Sequence, residues 1–71
     1  MKEILEDVRN LTLRQIEECK CKIFRYNHIL KTKKLDYFLI DSLLKGIEFT
    51  SKALSKYEYE LQEINKRIKD D

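Results

Sequence analysis

Cys19, Cys21 and His28 are the side chains best suited to chemistry in this chain, since a thiolate attacks carbon or holds a soft metal and an imidazole carries protons or binds zinc. Their spacing works against a shared site. At about 100° per residue the three point in different directions from one helix, and two sulfurs with one nitrogen fall short of a tetrahedral zinc set. Residues two apart on a helix project to nearly opposite sides, so Cys19 and Cys21 are expected to stay reduced and unpaired. Cys19 falls on the apolar face, where a thiol packs as a small hydrophobe, while Cys21 falls on the outer face as an exposed thiol. No metal and no cofactor are expected.

A second group could bind rather than react. From Cys19 to Leu35 there is no acidic residue, while Lys20, Lys22, Arg25, Lys31, Lys33 and Lys34 alternate with Phe24, Tyr26 and His28. The rest of the chain is net acidic, so this stretch is the candidate contact for an anionic partner such as nucleic acid or an acidic protein surface. Helical spacing separates Lys22 and Arg25 from Lys20 and Lys31, so no continuous stripe for reading a groove results, and no established DNA-docking motif is present.

Carboxylates sit mostly four residues from lysine or arginine, which is the pattern of solvated ion pairs along a helix. There is no glycine-rich phosphate loop, nucleophile elbow or metalloprotease motif. Two long helices offer ridges and grooves but no loop cluster to enclose a substrate, so neither catalysis nor a small-molecule substrate is expected.

The elements that carry these residues follow from composition and period. The chain has 71 residues, 39% charged and 42% apolar, with no Pro and one Gly. Few chain reversals are possible without those residues, which predicts an all-α protein. From Ile40 to Ile68 the apolar residues step by threes and fours through Leu43, Ile47, Leu54, Tyr57, Leu61 and Ile64, interrupted only by Thr50. That heptad seam predicts a long second helix built to lie against other helices. Met1, Leu5, Val8, Ile16, Cys19, Ile23, Tyr26 and Leu30, with Thr12 between, recur nearer to 3.6 residues and predict a first helix.

Charge places the bend. Acids at Glu3, Glu6 and Asp7, bases at Lys31, Lys33 and Lys34, acids at Asp36 and Asp41 and bases at Lys66, Arg67 and Lys69 match two helix dipoles in series. The expected layout of the single domain, residues 1–71, is a helix over about 2–31, a bend over about 32–36, and a helix over about 36–69 with Asp36 as N-cap and Thr32 as an earlier option. Folding back sets the basic C-terminal residues beside the acidic N-terminal ones, where attraction is expected.

Gly46 supports a competing reading. Leu44, Lys45, Gly46, Ile47 resembles a helix stop, which makes a three-helix bundle with a break at Gly46 the alternative. Against it, the heptad phase does not slip there, and Asp41 with Lys45 and Glu48 with Lys52 are favourable pairs on either side. In the unbroken helix Ser42, Gly46 and Ala53 form a strip for close helix approach.

A two-helix hairpin this short is marginally stable alone, and both apolar arcs are wider than one partner helix covers: Ile4, Leu11 and Ile29 widen the first, Leu39 and Leu44 the second. The fold expected is therefore an antiparallel, coiled-coil-like hairpin that self-associates as a homodimer or higher oligomer, most simply a four-helix bundle. Its oligomer seam is Val8, Ile16, Ile23 and Leu30 with Ile40, Leu43, Ile47, Leu54, Tyr57, Leu61, Ile64 and Ile68. Leu13, Phe24, Phe38, Phe49 and Tyr59 fall on outer positions and form the candidate surface for another protein.

The functional expectation is a non-enzymatic protein–protein interaction module, acting as regulator, inhibitor, adaptor or assembly factor. The alternative is a small nucleic-acid-binding protein using Lys20 to Lys34. Glu6 and Asp7 occupy the place of a signal-peptide apolar run and no stretch is long enough to span a bilayer, so a cytoplasmic protein without a membrane partner is expected. The opening Met reads as the start of a complete small protein. Its Lys- and Ile-rich, Trp-free composition fits a bacterial or phage source.

Overall fold

The computed structural model describes residues 2–70; Met1, placed on the first apolar face above, lies outside them. Helix α1 runs Lys2–Thr32 and helix α2 runs Tyr37–Asp70, packed against each other as a hairpin. The hairpin is a thin rod of 53 × 15 × 13 Å with a radius of gyration of 16.1 Å. A globular domain of this length has a radius near 11 Å.

The bend is built from side-chain and backbone bonds rather than from glycine. The Lys33 amide donates to the Ile29 carbonyl at 3.0 Å and the Thr32 hydroxyl to the His28 carbonyl at 2.8 Å, closing α1 with its basic residues at the negative end of the dipole. Leu35 turns partly inward between the helices' ends. The Asp36 carboxylate accepts from the Leu39 amide at 2.9 Å and its carbonyl from the Ile40 amide at 3.1 Å, so Asp36 caps α2.

Helix α2 passes through Gly46 without interruption, and no glycine has a positive φ. The three-helix alternative with a break at Gly46 is therefore not the fold. The heptad phase runs through Gly46 unbroken, and the pairs of Asp41 with Lys45 and Glu48 with Lys52 hold the turns on either side. Across the hairpin the Tyr26 ring of α1 rests over Gly46, where an added Cβ would sit 3.4 Å from Tyr26 Cε2. Because 3.4 Å is ordinary van der Waals contact, Gly46→Ala is expected to stabilise the protein by roughly 0.5–1 kcal/mol through helix propensity, raising Tm by several degrees. A thermal melt with a lower Tm for that variant would show that the backbone at Gly46 is needed for more than space.

Little of the chain is buried. Among the described residues only Thr12, Ile16, Cys19 and Thr50 are buried, and they run along the facing sides of the two helices in the middle of the hairpin. Two are the threonines that interrupt the apolar rows. Small side chains let the helices approach closely there, and the Thr12 hydroxyl donates to the Val8 carbonyl at 2.9 Å, so it carries no unmet polar group inward. No buried side-chain nitrogen or oxygen of the described residues lacks a partner.

The expected attraction between the two ends does not take the form of ion pairs. Among the described residues the three salt bridges are Asp41 with Lys45 at 3.0 Å, Glu48 with Lys52 at 3.4 Å and Glu63 with Lys66 at 3.6 Å, all within α2. Neighbouring turns hold such pairs in reach without fixing extra side chains, whereas pairs across the hairpin must order two long exposed ones.

Candidate functional site

The register between the helices positions every candidate residue. Tyr26 lies opposite Gly46, and near the termini Leu5, Val8 and Thr12 of α1 line a groove with Glu60, Ile64 and Arg67 of α2. Counting inward from either point sets Glu18 level with Leu54. The same groove places Val8 and the charged residues Glu60 and Arg67 on one side of the hairpin. Residues seven apart share a flank, so Ile40, Ile47, Leu54, Leu61 and Ile68 form an aliphatic column on the opposite side of α2.

The seam residues divide accordingly. Ile16 is buried; Ile23, Leu30, Leu43, Ile47, Leu54, Tyr57, Leu61, Ile64 and Ile68 are half-buried. Val8 and Ile40 stand open at the two ends, at 41% and 37% exposure, because the partner helix covers the centre of each arc and not its margins. Beyond them Ile4, Leu11, Leu39 and Leu44 are also exposed. The strip of Ser42, Gly46 and Ala53 is approached at Gly46 by the Tyr26 ring from within the same chain.

Of the outer residues Phe24, Phe38 and Phe49 are each about three-quarters exposed, with Tyr59 and Leu13 less so, and Tyr37 at the start of α2 is more open still. Phe49 rims a shallow groove along α2 with Lys52, Ala53, Lys56 and Tyr57. No protein-family model, curated protein or solved structure matches the chain. Its surfaces therefore have to be read from their own chemistry.

Two bases of the basic segment meet on one surface. Lys20 and Arg25 rim one shallow groove with Cys21, Phe24 and His28 along the outer side of α1, because long basic side chains reach around the exposed Phe24 ring. Phe24 and His28 stack with centroids 6.4 Å apart and planes 8° apart. Their i,i+4 spacing was the available signal for this pair, and sequence reading treated the two separately. Asn27 and Lys31 continue the surface toward the bend. Cys19 is buried and Cys21 exposed, both free.

Among the described residues no three His, Cys, Asp or Glu side chains gather as a metal-binding group. No described helix is long and apolar enough to cross a membrane. The Tyr26 and Gly46 pairing is the feature that sequence reading missed, since a glycine in a heptad row carries no sign of what lies opposite it.

Proposed function

We propose that this protein is a non-enzymatic protein–protein interaction module whose first partner is a second copy of itself. One quantity carries the reading. The chain exposes 6016 Å², whereas folded monomers of 8.7 kDa expose about 4,700 Å². The excess of about 1,300 Å² is larger than the roughly 800 Å² per partner that a stable interface of standard size covers. The exposed surface includes large aliphatic and aromatic groups, as at Leu44 and Phe24. Water contact over such a surface is costly, and covering it with another apolar helix face is the direct remedy.

Absolute molar mass by light scattering on a sizing column, in reducing buffer at low and at moderate salt, tests this reading. A dimer or larger species at both salts is the expected result. A monomer at both would overturn self-association.

A second reading rests on the stacked Phe24 and His28 between Lys20 and Arg25, an arrangement that suits stacking against an unpaired base with phosphates held beside it. It predicts binding of a labelled single-stranded oligonucleotide that weakens steeply as salt rises, by about tenfold or more between low and moderate ionic strength. Charge reversal at Arg25 and Lys33, neither of which faces an acid of the second copy in the dimer described below, should weaken that binding strongly and leave the molar mass of the protein unchanged. Oligonucleotide affinity insensitive to both salt and these substitutions would dispose of the phosphate contact.

A further inference from the structure

We infer that the second copy lies against the side bearing the Leu54 column, antiparallel to the first, with the two bends at opposite ends. The inference rests on the self-association proposed above and adds which side is used and in what direction.

The side is chosen by charge. The opposite side carries Glu60, Glu63 and Arg67 of α2 beside Leu5, Val8 and Ile64 in its groove, whereas on the chosen side Ile40, Ile47, Leu54, Leu61 and Ile68 run the length of α2 and the acids on α1, Glu6 and Glu17, have bases at the mirrored positions. Burial of that column costs no unpaired charge.

The direction is chosen by symmetry. A two-fold dimer of antiparallel α2 helices sets each residue against its mirror image about a central one. The α2 column is its own mirror about Leu54: Ile40 meets Ile68, Ile47 meets Leu61, and Leu54 meets its own copy. On the same side of α1, mirroring about the step from Glu18 to Cys19 sets Leu13 against Phe24, Glu17 against Lys20 and Glu6 against Lys31. At these positions apolar meets apolar and acid meets base, while Arg9 on the same flank is set against His28.

These two centres were found independently, one from each helix. The hairpin register sets Glu18 level with Leu54, so one two-fold axis serves both. With the bends at the same end, α1 would instead lie across α2 of the copy, and Lys20 and Lys31 would press on the column near Leu54 and Ile40. That arrangement buries ammonium groups against aliphatic side chains without partners.

The test is a distance between spin labels on Lys34→Cys at the bend, in protein carrying Cys21→Ser, with Cys19 shielded by burial. Opposed bends put the two labels on the order of 50 Å apart, close to the 53 Å length of the rod. Bends at one end put them within about 20 Å, given the spacing of packed helices. A second label at Lys69→Cys reports independently from the other end, with the same two outcomes. Molar mass is measured on each labelled protein. A dimer with long distances at both sites supports the antiparallel direction, with the side tested by Leu54→Asp and Leu61→Asp, and a dimer with short ones overturns the inference while leaving self-association intact. A monomer, with no dipolar coupling at either site, overturns both and leaves the column to a different protein.

Discussion

Protein carrying Leu54→Asp together with Leu61→Asp is expected to lose both its oligomeric mass and most of its helical circular dichroism. Both leucines are half-buried in the lone hairpin, seven residues apart on one flank of α2. In the dimer proposed above they are covered from a second direction. Each aspartate would then bring a carboxylate into an aliphatic contact with no cation in reach, at a cost on the order of 3 kcal/mol or more per site. A protein of this size has total stability of about 5 kcal/mol, so the pair exceeds what it can lose. Phe49→Ala and Tyr59→Ala change side chains that stand open on other flanks and are expected to leave mass and helicity as they were. If the double aspartate variant remained folded and associated, the assignment of the Leu54 column to an interface would be wrong.

Ile16→Ala is expected to remove about 3 kcal/mol, the largest effect of any single truncation in the hairpin. Ile16 is 6% exposed and stands between Thr12 and Cys19 in the middle stretch where the helices exclude water. Elsewhere the apolar side chains are at the margins, and trimming them removes contacts already shared with solvent. The measurement is a urea titration at fixed protein concentration, with Ile16→Val as the graded control at about 1 kcal/mol. Folding coupled to self-association makes the midpoint rise with protein concentration for both the parent and the variant. A midpoint for Ile16→Ala indistinguishable from the parent's would mean that the central contact between α1 and α2 does not hold the hairpin together.

Both predictions depend on features with different visibility in the sequence. The aliphatic column is legible because a heptad period is a local property, preserved whatever the helix later touches. The burial of Thr12 and Thr50 is not. In the sequence they read as polar interruptions of an apolar row, and their depth appears only when a second helix crosses at their level, where a small side chain permits close approach. Gly46 shows the same limit from the other side. Local signals at Leu44 to Ile47 describe a stop as well as a passage, and nothing local shows that Tyr26, twenty residues away in sequence, lies against Gly46 across the hairpin. The basic segment was legible as charge but not as a surface, because the spacing of α-carbons does not say how far a lysine or arginine reaches around a neighbouring ring.

By itself the sequence determined that the chain makes two amphipathic helices joined near Lys33 to Asp36, since period, dipole charge and an N-cap act within a few residues of one another. Only the tertiary structure decided how far α1 slides along α2 and how each is rotated about its axis. Those two degrees of freedom are set by contacts between distant residues, Tyr26 on Gly46 and Thr12 beside Glu60, and they place Glu18 level with Leu54. A slide of one helical turn would keep every local signal and would part the two centres of symmetry on which the antiparallel dimer depends.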